Sequence, residues 1–485
     1  MSNLFGKASG LWKGGSEEQR HRKSHRSRNK LQKVSYKQKI FELWNSISRE
    51  HKYLIAILLL SFVLRVVYVF HCTDYKNYLL TDMGVYWDRA HRTFNGDIFN
   101  TFNWTAWATC FHFYLTFIFK VLFFFGFIKY RLEAVIILNI IFSTLSVFFT
   151  YLIARLLIKK SDFRLLATFL YAVSCPIIYY NALVLSENVS IPLLIISVYL
   201  LLGFHEKYST MFLSGLILAL AVGIRPSLGL IFIPCLFYGM YAKKMSFNST
   251  LRSITFSFGF LLVIFLIVVE NNYISDGELK NLAGYGGAHF YFQHCRTKSI
   301  HSIYKELHTK LAPPVFLADP KFGKIKELRT DHPIHDQKYF YKEAFKCIKE
   351  NPNVFIENFF SLKHLLIDNY FPSFRGVKGF GIFKKLSAYL VLFMTSTLGF
   401  FYFIRNDREI ITKEVLLLLS IPLCLAITAY FYLPEFRYFV PAYFAIYILF
   451  FTILSNLKKY KKQLENYFKA LVIIFILWFL YNKIV

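Results

Sequence analysis

Acidic residues are scarce in this chain. Its 485 residues carry 29 Asp and Glu against 57 Lys and Arg, a formal net charge of +28. In a soluble protein that imbalance would point to nucleic acid. Here the basic residues gather at the ends of apolar runs and in the first fifty residues, where they set orientation and attract anionic headgroups, so nucleic acid is excluded as a partner. Cysteine is also sparse. The seven present form no CxxC pair and no metal-ligand spacing, which leaves a zinc or thioredoxin-like framework without support. No internal repeat is visible, and transporters are commonly built from repeats. No cleavable signal peptide stands out. Residues 1–50, basic and Gly/Ser-containing (HRKSHRSRNK), read as a disordered cytoplasmic N-terminus.

Apolar sequence is what the chain has in excess. It is 55% hydrophobic, where soluble proteins average roughly 45–50%, and its mean hydropathy is +0.41. The excess lies in runs such as IAILLLSFVLRVVYVF, AVIILNIIFSTLSVFFTYLIARLLI, ITFSFGFLLVIFLIVV and ALVIIFILWFLY. Each approaches the ~20 residues needed to cross a bilayer. The fold class is therefore an all-α polytopic membrane protein.

Charge then orients the spans. With residues 1–52 inside, the first span covers 53–70 and exits. If the apolar stretch 108–128 crossed, every later basic loop would fall outside. If it lies along the outer interface, Lys159, Lys160, Lys207, Lys243, Lys244, the RNDR cluster at 405–408 and KKYKK at 458–462 all fall inside. Lys120 in its middle also suits an interfacial helix. The expected spans are then 53–70, 133–157, 164–181, 189–204, 211–224, 227–241, 251–269, 386–404, 414–432, 439–456 and 468–484, about eleven. The short pair 211–241 reads as a hairpin or one bent span, with the break at Pro226. Four regions follow: the terminus 1–50; a transmembrane module 51–269 with an outer loop at 71–132; an outer loop subdomain at 270–385; and C-terminal spans in 386–485. Cys72, Cys110, Cys295 and Cys347 would all lie outside, which leaves a disulfide among them open.

Charges held at the membrane's outer edge are costly and informative. Four stand out: Asp82 in LLTDMGVYWDRA, Glu187 in NALVLSENVS, Arg225 in LAVGIRPS and Arg437 in LPEFRYFVP. Each has a plain structural alternative: a helix cap for the acids, an ion pair for the arginines. Together they put two carboxylates and two guanidiniums on one face. A carboxylate can deprotonate a hydroxyl, and arginines can hold a phosphate leaving group. Tyr86 and Trp87 either shield Asp82 from water or anchor the interface. The glycines of GYGGAH permit close backbone approach to a ligand or to the membrane-embedded part.

The order of these features resembles the GT-C fold glycosyltransferases, in the branch with the protein O-mannosyltransferases and lipid A aminoarabinose transferases. The resemblance rests on TDMGVYWDRA followed by NGD, an apolar helix ending in FFFG, KKSDFR, SEN, SGLILALAVGIRP, GYGGAHFYFQHC and FRYFVP, in order over residues 50–456. Asp82 is followed by Met83 where the mannosyltransferases commonly carry Glu, and no WWDYG-like motif is present. The resemblance implies a sugar carried on polyprenyl phosphate as donor, inverting transfer to a lipid, glycan or protein hydroxyl, and an active site on the non-cytoplasmic side of a bacterial inner membrane or the endoplasmic reticulum. It implies catalytic roles for Asp82 and Glu187, phosphate contacts from Arg225 and Arg437, and substrate contacts from Tyr86, Gly286, Gly287 and His289. It specifies no cofactor and leaves a divalent metal open. Two other readings compete: a polyprenyl-lipid flippase or carrier, and a secondary transporter.

Overall fold

A computed structural model describes residues 45, 47–79, 82–97, 109–241, 246–274, 282, 286–295, 297–300, 315–318, 327–329, 336–354, 356, 358, 390–391, 393–395, 397, 412–432 and 436–455. The chain divides into two compact units, Met1–Ala56 and Ile57–Val485. The boundary falls within the first helix, α1 (Arg49–Cys72). The described part of the first unit is the start of that helix; the rest of the fold belongs to the second.

Six described helices are long and apolar enough to cross a membrane: Arg49–Cys72, Ile128–Leu157, Glu187–Phe204, Phe247–Tyr273, Lys413–Phe431 and Arg437–Ser455. They coincide with six of the expected spans. Of the rest, 386–404 is described in part and 468–484 lies outside the described residues.

The expected span 164–181 is corrected. It is α5 (Ser161–Ala172), a break at Val173 and Ser174, and the short α6 (Cys175–Tyr180). Pro176 lacks the amide that would bond back to Ala172, and its ring clashes with that carbonyl, so α5 cannot run on through it, and Pro176 sits instead in the first turn of a new helix. The preceding elements are α2 (Asp82–Phe94), α3 (Thr109–Phe124) and α4 (Arg131–Leu157). At 16 residues, α3 is about 24 Å long, short of the ~30 Å hydrocarbon core. One side packs on its neighbours, while Phe117, Phe123 and Phe124 are exposed. It ends at Gly126, whose φ of 75° lets the amides of Gly126 and Phe127 bond back to Phe123 and Leu122. Gly96, at φ 87°, closes α2 in the same way. The FFFG and NGD motifs are thus helix caps.

The segment 208–241 folds as a hairpin. α8 (Tyr208–Ile224) follows α7 (Glu187–Phe204), and α9 (Phe232–Tyr241) returns after a 3₁₀ turn at Pro226–Ile231. A Cβ at Gly239, near the end of α9, would meet Met211 at the start of α8 and Ser253 on α10 (Phe247–Ile274), so the two arms run antiparallel. α8 and α10 run parallel and nearly touch. A Cβ at Gly215 would strike the Phe256 carbonyl, one at Gly259 the Phe212 carbonyl, and one at Gly223 the Ile267 side chain. Close approach through small residues is how membrane helices gain contact without a hydrophobic drive. Reciprocal bonds between Ser197 and Ser214 join α7 to α8.

Between α10 and the last helices of the chain, α11 (Gly286–His294) packs on α12 (Gln337–Glu350). Strands β1 (Thr297–Ile300), β2 (Val315–Ala318) and β3 (Glu327–Arg329) form an antiparallel sheet in which Ile300 faces Val315 and Val315 faces Arg329. The all-α expectation is corrected to this extent. The strands are too short and irregular in polarity to announce themselves in sequence. The chain closes with α13 (Lys413–Phe431), α14 (Phe436–Phe439) and α15 (Tyr443–Ser455).

Cys295 and Cys347 form a disulfide that ties α11 to α12 across 52 residues of sequence. Closing a loop of that size removes about 4 kcal/mol of unfolded-chain entropy in the simplest treatment. Replacing both cysteines by serine is therefore expected to lower the thermal midpoint in detergent and to open α11 and α12 to protease. An unchanged cleavage rate would show that the bridge does not hold this segment.

Candidate functional site

The four charged positions come together from segments up to 355 residues apart. Asp82 is the first residue of α2, and its Oδ2 accepts a hydrogen bond from Arg437 Nη1 at 2.7 Å. Glu187 is the first residue of α7 and pairs with Arg225 Nη1 at 2.6 Å. Arg225 Nη2 donates to the backbone carbonyl of Arg437 at 3.2 Å, which joins the two pairs. Both guanidinium carbons lie over the Tyr438 ring, at 4.8 Å for Arg225 and 5.4 Å for Arg437.

Local sequence explains each placement. Both acids occupy first turns of helices, where the unbonded amides favour negative charge. Arg225 sits where α8 must stop, because Pro226 forces it into extended geometry, φ −143° and ψ 92°. Asparagines fix the loop before Glu187. Asn188 Nδ2 donates to the carbonyls of Tyr180 and Leu183, both at 2.8 Å, and Asn139 Nδ2 donates to Leu183 at 3.0 Å. The NVS sequon is therefore a buried structural tie.

The two ion pairs differ in access. The Glu187 and Arg225 side chains are 1% and 7% exposed; those of Asp82 and Arg437 are 30% and 28% exposed. The inner pair is sealed, and the outer pair can meet a ligand. Tyr86, one turn after Asp82, is buried edge-on against Phe111 at 4.9 Å. Burial raises its hydroxyl above the usual range, Asp82 and Glu187 add to the rise, and Arg437 and Arg225 oppose it. Tyr86 therefore stays a neutral donor beside all four charges. Trp87 packs on Phe119 of α3 at 4.9 Å, as part of the wall between α2 and α3.

Gly286 and Gly287 open α11, and their close approach is to protein. A Cβ at Gly287 would come 2.9 Å from Gln337 Cα, and one at Gly286 would come 3.4 Å from the Tyr341 hydroxyl and 3.7 Å from Tyr432. These contacts are to α12 and the end of α13. His289 is half-buried on the same helix. Among the described residues no group of three or more His, Cys, Asp or Glu could hold a metal ion.

Three polar residues were missed in the sequence. Arg65, fully buried in α1, donates to Ser143 Oγ at 2.7 Å and to the Ala172 carbonyl at 3.0 Å. Its signal was a charge within a span. Arg89 is fully buried on α2, seven residues after Asp82, and burial pushes its guanidinium down to about 10. It was hidden by the exposed charges beside it. Glu270 ends the apolar run of α10, much as Glu187 begins that of α7.

Residues 109–272 match the model of the family described as dolichyl-phosphate-mannose-protein mannosyltransferase. The matched stretch carries Glu187 and Arg225, while Asp82 and Arg437 lie outside it. No curated protein matches the chain. The family match bears out the resemblance to GT-C glycosyltransferases. With the six apolar helices, it supports a mannosyltransferase-type glycosyltransferase in a multi-pass integral membrane protein.

Proposed function

We propose that the chain transfers a sugar from a polyprenyl-phosphate donor to an acceptor hydroxyl at the non-cytoplasmic membrane face, with inversion at the anomeric carbon. The observation that carries this reading is the half-exposed Asp82–Arg437 pair, backed by the sealed Glu187–Arg225 pair. The donor phosphate competes with Asp82 for Arg437, whose planar fork suits phosphate. That exchange frees an Asp82 oxygen to act as general base. The acceptor oxygen bonds to the anomeric carbon as its proton passes to Asp82. The bond from that carbon to the phosphate oxygen breaks, and the electron pair leaves on the polyprenyl phosphate, held by Arg437. Tyr86 donates a neutral hydrogen bond to the site.

Arg225 spends Nη1 on Glu187 and Nη2 on the Arg437 carbonyl, so it acts on the phosphate through Arg437. The disulfide between Cys295 and Cys347 supports the non-cytoplasmic side, since disulfides persist in oxidising compartments. The family match supports the transfer chemistry.

Native mass spectrometry of the protein extracted from its membrane is expected to show bound polyprenyl phosphate, free or glycosylated. Purified protein should also move labelled sugar from such a lipid. Absence of both the lipid and transfer would sink the reading.

A further inference from the structure

We infer that Glu270 is a third carboxylate of this site and accepts hydrogen bonds from hydroxyls of the donor's glycosyl unit. The inference rests on the glycosyltransferase reading above and deepens it.

Its height in the fold comes from the helix packing. α8 and α10 run parallel, with Gly215 against Phe256 and Gly223 against Ile267. Continuing that alignment, Arg225 lies two residues beyond Gly223 and Glu270 three beyond Ile267. Glu270 therefore stands level with the turn that carries Arg225. Its direction follows from helical spacing. Ile267 faces α8, and a residue three positions on shares that side. The electrostatic neighbours agree. Glu270 acts on Arg89 of α2 and on Cys110 of α3, and Cys110 is the side chain a Cβ at Gly223 would meet. Glu270 thus faces the ground between α2, α3 and α8, on the helix side shared by the Asp82-bearing element.

One of its carboxylate oxygens is unspent. Glu270 Oε1 is buried and accepts no hydrogen bond, although Arg89 is close enough to balance its charge. A buried carboxylate oxygen without a donor costs free energy. The donors that a lipid-linked sugar brings to this level are its ring hydroxyls. Arg89, fully buried on α2, is near enough to both Tyr86 and Glu270 to interact with them electrostatically. The site then divides its work: Arg437 takes the phosphate, Asp82 the acceptor proton, and Glu270 the sugar.

The test compares two probes, dolichyl-phosphate mannose and dolichyl phosphate, on full-length protein in nanodiscs. Wild-type protein is expected to bind the mannosylated lipid about ten-fold or more tightly, the worth of a hydrogen bond to a charged group. Glu270→Ala should erase that advantage and leave dolichyl phosphate affinity unchanged. Glu270→Gln, which keeps the shape and one acceptor, should retain part of it, and it serves where the alanine variant does not fold. An advantage that survives in both variants overturns the inference. So does an equal loss of affinity for both lipids, which would mark Glu270 as a structural partner of Arg89. Wild-type protein that binds neither lipid would instead bring down the underlying glycosyltransferase reading.

Discussion

Asp82→Asn is expected to lower turnover by at least about two orders of magnitude, because general base catalysis contributes typically 10²–10⁴-fold. That corresponds to about 2.7 kcal/mol of transition-state stabilisation at 1.36 kcal/mol per factor of ten. The amide keeps the shape of the side chain and can still accept from Arg437, so α2 and the Tyr438 platform should stay in place. Donor affinity should therefore change little, and the loss should appear in kcat. The control lies nearly two turns along the same helix. Asp88 is half-exposed and holds Arg92 at 2.8 Å. Asp88→Asn should keep most of the activity. If Asp82→Asn turned over normally, the base would be another group. A lipid flippase needs no base, so unimpaired lipid movement by Asp82→Asn, with no sugar transfer by wild type, would favour a carrier.

What could be read from sequence, and what could not, follows from the physics of each element. Asp82, Glu187, Arg225 and Arg437 were legible because each is a charge at the edge of apolar sequence, where placement is costly. Their roles in the fold were not legible. Nothing in the spacing says that Glu187 and Arg225 seal each other away while Asp82 and Arg437 remain open, since that depends on the turn at Pro226 meeting α14. The hairpin at 208–241 stayed ambiguous because its arms are shorter than a full span. Its resolution needs the contacts of Gly239 with Met211 and Ser253. The break between α5 and α6 was available in the sequence, as SCP, and was overridden by continuous hydrophobicity. Arg89 could not have been separated from Asp88 and Arg92 without knowing which face of α2 meets α3. Gly286 and Gly287 carried the right signal, close approach, and the partner is Gln337.

Removal of Arg225 should have the largest effect on stability. Arg225→Ala leaves the Glu187 carboxyl at 1% exposure with its cationic partner gone. Breaking a buried pair from one side costs about 3–5 kcal/mol. The variant should show a markedly lower thermal midpoint in detergent. It should also bind donor more weakly, because the Arg437 carbonyl loses its donor and Tyr438 loses one of its two guanidiniums. These two losses are separable. Pairing Arg225→Met with Glu187→Gln removes both charges and keeps most of the volume, and exchanging a buried ion pair for neutral groups is often close to neutral in stability. The double variant should therefore recover most of the thermal midpoint. Transfer should not recover with it, since Arg437 still lacks the anchor that aims it between Asp82 and a phosphate. If folding and transfer were both restored, the inner pair would be a dispensable structural tie and Arg437 would need no support from Arg225. If Arg225→Ala were as stable as wild type, Glu187 would not be held as a buried carboxylate, and the account of the inner pair would have to be abandoned.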